Sequence, residues 1–241
     1  MRRFLLLSLS LALPLAIACG DKDDTSSPEG DADADTDTDT DTDADGDADV
    51  GACSAWTGIS RVGSTWSYAF ADGDLSGTVD NEVTAYDPLV GTVGTESLSV
   101  LSTADYIITS TTTTEYLCDG DGYWITHQYT EYSMQMSGQD FDGWTEMTYD
   151  PPALLMPADM EVGTTWTTAY VGTTETSISG ASDFSSTVQQ EVTGAEQVTV
   201  PAGTWDTLLV EFTGDGEGFS NVARDVGQVK SNVTVLTSFN P

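Results

Sequence analysis

The side chains that could carry chemistry in this chain are few in kind. His127 is the single histidine and Cys19, Cys53 and Cys118 are the three cysteines, set against 40 Asp and Glu. Acyl transfer needs a nucleophile beside a base, and no Gly-x-Ser-x-Gly turn accompanies His127, which lies in a strand-like run. Zinc chemistry fails on the same shortage of His and free Cys. Carboxylate pairs of the glycoside-hydrolase type survive as the catalytic alternative, because 26 acidic residues lie beyond residue 52 and some must be neighbours by number alone. Asp119, Asp121, Asp215 and Glu217 sit in Gly-rich stretches, where turn formation already accounts for them. The expectation is a protein that is not an enzyme and has no cofactor.

Two further patterns point to binding. Asp41-x-Asp43-x-Asp45-Gly46 repeats the ligand spacing and turn glycine of an EF-hand-type loop, but the twelfth position, which should supply a bidentate Glu, is Ala52. Weak calcium association at Asp41, Asp43 and Asp45 is expected, not a defined metal site. Tyr123, Trp124, Tyr129, Tyr132 and Trp144 are close enough in sequence to form a stacking platform for sugars, with core packing as the competing assignment. A net charge of -34 repels phosphate backbones, so nucleic acid is excluded as a partner. Of the six basic residues only Arg61, Arg224 and Lys230 lie beyond residue 52. Such a surface suits a cationic partner, or a saline habitat in which screening relieves self-repulsion.

The cysteines acquire roles from their positions. Arg2 and Arg3 precede an apolar run, Phe4 to Ile17, that is too short for a permanent span, so residues 1-18 read as a signal peptide. The cut site Ala16-Ile17-Ala18-Cys19 resembles the lipobox of bacterial lipoproteins, which implies acylation of Cys19 and attachment to a membrane through it. It departs from that motif in having Ala16 and Ile17 where Leu and a small residue are usual. Gly20, rather than Asp, follows the cysteine, and the resemblance therefore implies the outer membrane, facing the periplasm or the surface. Cys53 and Cys118 remain as an even pair in an oxidising compartment, so a disulfide is expected between them.

Asp occupies every second position from Asp31 to Asp49. Nothing apolar is available to offset the entropy of ordering, so residues 19-52 read as a disordered, lipid-anchored tether. Fully extended, it would reach about 100 Å at roughly 3.3 Å per residue.

Residues 53-241 read as a single all-β domain, rich in Thr, Val, Tyr and Trp and without helical spacing. Val62-Gly63-Ser64-Thr65-Trp66 and Val162-Gly163-Thr164-Thr165-Trp166 are nearly the same turn, each leading into an aromatic strand. Glu82-Val83-Thr84 likewise corresponds to Glu191-Val192-Thr193, and Gly94-Thr95 to Gly203-Thr204. Two related antiparallel meanders, about 62-103 and 162-213, would form a curved sheet, a partly open barrel or a sandwich. Extra residues between Tyr170 and Glu191 should form a loop or a lengthened hairpin. Pro151, Pro152 and Pro157 mark a break, and Thr111 to Thr114 reads as an exposed edge.

Val198-Thr199-Val200-Pro201-Ala202-Gly203-Thr204-Trp205 and Val226-Gly227-Gln228-Val229-Lys230 are similar to segments shared by uncharacterised exported bacterial β-domains. That resemblance implies a fold and an exported life but no reaction. The expected function is a non-enzymatic envelope lipoprotein acting as a binding or structural module, its partner an envelope protein, a polysaccharide or a lipid. The alternatives are a lipid carrier with an apolar cavity in the curved sheet, and a carboxylate-based hydrolase.

Overall fold

A computed structural model of the chain describes Cys53 and residues 57–241. The signal segment, Cys19, the tether and the Asp41, Asp43 and Asp45 loop lie outside the described residues. After a one-turn helix, α1 (Thr57–Ser60), twelve strands follow in order: β1 (Thr65–Asp72), β2 (Leu75–Asp87), β3 (Thr92–Ser102), β4 (Tyr106–Cys118), β5 (Gly122–Met136), β6 (Gln139–Pro157), β7 (Thr165–Thr176), β8 (Gly180–Val200), β9 (Gly203–Gly214), β10 (Gly218–Ala223), β11 (Gly227–Ser231) and β12 (Thr234–Asn240). Each pairs antiparallel with the next, and β12 pairs with β1 to close the barrel.

Period-two alternation drives this arrangement. Trp66, Tyr68 and Phe70 on β1 turn one way and Ser67, Ala69 and Ala71 the other, and the buried positions of β2 and β3 follow the same rule. The main core gathers residues such as Val83, Val93, Ile125, Tyr149, Val192 and Phe212. A second cluster is formed by Tyr68, Val79, Val200, Val229 and Leu236. Each buried aliphatic of this kind contributes about 1.5–3 kcal/mol relative to exposure.

Midway along β3, β4 and β5 the inward rows are polar. In register they read Thr95, Thr114 and Gln128, then Ser97, Thr112 and Thr130. The hydroxyls of Thr112 and Thr130 are 2.9 Å apart, and the Gln128 amide donates to Thr114 Oγ1 at 3.4 Å. This corrects the edge expected at Thr111 to Thr114: a closed barrel has no free edge there, and Thr112 and Thr114 are buried. Their hydroxyls pair with Thr130 and the Gln128 amide of β5 rather than facing water.

The two related segments adopt the same hairpin register. Trp66 lies opposite Asn81 and Trp166 opposite Gln190, and Thr65 and Thr165 face Glu82 and Glu191. Gly63 and Gly163 have φ of 86° and 95°, a conformation in which only glycine is unstrained, and their N–H groups donate to the carbonyls of Val83 and Val192. Both tryptophans are half-buried against the main core. The facing Thr and Glu are 17 residues apart in the first half and 26 in the second, and the nine additional residues lengthen the β7–β8 hairpin.

The correspondence of Gly94 with Gly203 does not hold in three dimensions. Gly94 lies inside β3 opposite Ala85, whereas Gly203 opens β9 at its turn with Val200; Thr95 and Val210 are the residues that face Val83 and Val192. The β8–β9 hairpin is longer than its counterpart, which displaces the glycine.

Two features close the barrel unevenly. β11 and β12 share one register pair, Lys230 with Val235, and the far end of the β8–β9 hairpin reinforces that region, packing Val198, Val200 and Trp205 with Val226, Val229 and Phe239. The expected proline break falls within β6, where Tyr149 to Pro152 leave the β5 ladder and pairing resumes at Ala153.

Candidate functional site

Strand parity decides which of the five candidate stacking aromatics can meet a ligand, and it turns Tyr132 inward with Gln128 and Thr130. On β5, Tyr123 and Ile125 point into the core, and simple alternation would send His127 and Tyr129 the same way. The register shifts between Ile125 and His127, so that Thr126 is an extra residue, held by its hydroxyl donating to the Glu115 carbonyl at 3.0 Å. Beyond this bulge Gln128 takes the inward position, and His127, Tyr129 and Glu131 face outward.

Tyr123 is therefore a core residue, stacked on Tyr116 with ring centroids 4.8 Å apart. Trp124 is half-buried beside the β4–β5 turn and donates its indole N–H to Asp119 Oδ1 at 3.1 Å. The same Oδ1 accepts the N–H groups of Asp121 and Gly122, so Asp119 is fully engaged as a turn residue. Tyr129 and Trp144 are brought together across β5 and β6, their centroids 6.2 Å apart and their planes inclined by 27°.

Around this pair the strands place four carboxylates. Glu131 Oε1 accepts the Tyr129 hydroxyl at 3.2 Å, and Glu146 Oε1 lies 2.9 Å from His127 Nε2. Glu146 and Glu175 are directly opposite across β6 and β7, and Glu115 is opposite His127 across β4 and β5. Like charges in facing positions oppose sheet pairing. The Tyr129 hydroxyl is held above its ordinary pKa by desolvation first, then by its bond to Glu131 and the charges of Glu131 and Glu146. Glu131 and Glu146 join the site although they are not among the aromatic candidates of the sequence. The signal was there, in His127-x-Tyr129-x-Glu131 and Trp144-x-Glu146, each with the two-residue period that puts side chains on one face of a strand.

Elsewhere, an open groove of about 630 Å³ is lined by Met160, Trp205, Leu208, Val222 and Arg224. Behind it the buried Asn221 amide donates to Glu196 Oε1 at 2.9 Å and to Thr207 Oγ1 at 3.3 Å. Among the described residues no three His, Cys, Asp or Glu side chains converge as metal ligands. Cys53 and Cys118 are joined in a disulfide, with Cα atoms 5.0 Å apart.

Residues 62–232 match the family model described as DUF3108-like, a span that runs from the turn before β1 into the turn before β12. The chain belongs to the DUF3108-like family. No curated protein and no solved structure matches it. The DUF3108-like span includes both halves of the barrel and the whole Tyr129–Trp144 face, while Cys53 and the final strand lie outside it.

Proposed function

We propose that this chain is a non-enzymatic lipoprotein of the cell envelope, anchored at the outer membrane through Cys19, whose barrel binds an envelope ligand on the outer face of β5 and β6. The observation that carries this reading is the Tyr129–Trp144 pair, half-buried on the outside of a closed barrel and framed by Glu131 and Glu146. Aromatic rings left at the surface beside fixed hydrogen-bonding groups are a common recognition surface.

The competing readings have less support. A lipid carrier needs a continuous apolar cavity, and the middle inward rows of β3 to β5, Thr95-Thr114-Gln128 and Ser97-Thr112-Thr130, interrupt the apolar lining with polar groups. A glycoside hydrolase needs a desolvated carboxylic acid, and no Asp or Glu among the described residues is buried.

The test is a capture experiment on envelope extracts with the full chain and with its Trp144→Ala and Tyr129→Ala variants. A component retained by the natural chain and lost by both variants supports the assignment. An identical captured set for all three proteins refutes it.

A further inference from the structure

The ligand class of this surface follows from its electrostatics, and the inference rests on the binding reading above. Four elements contribute outward carboxylates to one face: Glu115 from β4, Glu131 from β5, Glu146 from β6 and Glu175 from β7. Among the described residues no Lys or Arg lies on this face: Arg61 precedes β1, Arg224 follows β10 and Lys230 is on β11. Glu146 Oε1 has His127 Nε2 beside it at 2.9 Å, and Glu175 faces Glu146 directly across β6 and β7. At the centre are two aromatic faces, which attract a cation placed within about 6 Å of the ring centroid.

The geometry points to a cationic occupant, a lysine- or arginine-bearing segment of a partner protein, with one side chain over the Tyr129–Trp144 pair and neighbouring charges on Glu131 and Glu146. A ring pair alone would serve a neutral sugar as well. What favours the cation is the setting of the ring pair among Glu115, Glu131, Glu146 and Glu175, whose mutual repulsion a bound positive charge relieves and a neutral sugar does not.

The experiment titrates the full chain with a short capped peptide of alternating lysine and glycine, and separately with a neutral oligosaccharide, following tryptophan fluorescence. Trp144→Ala and the isosteric double variant Glu131→Gln/Glu146→Gln are each expected to weaken peptide binding by about tenfold or more. Raising salt from about 50 to 300 mM should weaken it as well, because exposed charges are screened. Glu82→Gln/Glu96→Gln, a facing pair elsewhere on the barrel, should leave it unchanged and controls for the overall acidity. Equal peptide affinity for the natural chain and the Trp144 variant would mean polyelectrolyte attraction only and overturn the inference. Salt-insensitive binding of the oligosaccharide, lost with Trp144→Ala, would overturn the cationic ligand while keeping the binding surface. Binding of neither probe that depends on Trp144 or on the two glutamates would remove both.

Discussion

Reduction of the Cys53–Cys118 bridge offers the most quantitative test of how the barrel is held. The bridged residues are 65 apart in sequence, and the loop they close contains α1 and β1 to β4. On the chain-entropy model, closing a loop of that size removes about 4 kcal/mol of unfolded-state freedom. Comparing oxidised and reduced forms of the same chain changes no other side chain, so cavity effects at the buried Cys53 and Cys118 are kept small. Urea unfolding of the full chain, with and without reductant, followed by tryptophan fluorescence, reads the difference. With a denaturant slope of about 2 kcal/mol per molar, the midpoint should fall by about 2 M. The slope itself should rise, because the reduced unfolded chain exposes more surface. A midpoint change below about 0.5 M, with the bridge shown to be intact in the oxidised sample, would refute the reasoning.

Other consequences are open to measurement. Thr168→Val removes a buried hydroxyl that donates to the Leu154 carbonyl and accepts the Gln190 amide at 2.6 Å; leaving both partners unsatisfied should lower unfolding stability by about 2–4 kcal/mol, and a loss under about 0.5 kcal/mol in chemical denaturation would contradict this. Burial raises the hydroxyl pKa of Tyr68, Tyr123, Tyr149 and Tyr170. Stability should therefore be complete below the unfolded tyrosine value near 10 and fall as pH rises above it, by about 1.4 kcal/mol per pH unit for each tyrosine kept neutral in the fold; a melting temperature constant from pH 9 to about 11.5 would speak against it. Cys19→Ser should abolish incorporation of labelled palmitate and release the protein from membranes, and labelling that survives the substitution would exclude acylation at Cys19.

The β class was legible because aromatic and β-branched residues alternate with small polar ones in runs such as Trp66 to Phe70, and because Gly63 and Gly163 supply turns that few other residues can make. Closure was not legible. The pairing of Trp66 with Phe239 joins residues from opposite ends of the domain, and no local spacing announces it. The run Thr111 to Thr114 resembled an edge because exposed edges and hydroxyl-lined interiors draw on the same polar β-branched residues. What separates them is whether another row of hydroxyls faces them, as Thr130 faces Thr112.

The aromatic face depends on a local irregularity that composition does not reveal. Tyr123, Ile125, His127 and Tyr129 are all odd-numbered, so an unbroken strand would bury all four or expose all four. The extra residue at Thr126 divides them, leaving Tyr123 and Ile125 in the core while His127 and Tyr129 reach the surface beside Trp144 and Glu146. The facing stretch of β6 leaves its ladder with β5 from Tyr149 to Pro152, where two prolines supply no N–H for pairing. A bulge facing a proline interruption lets β5 reverse its parity without breaking the barrel. One strand thus serves the core with its first half and the candidate site with its second. A substitution that straightened β5 at Thr126 would then disturb the binding face and the core packing together.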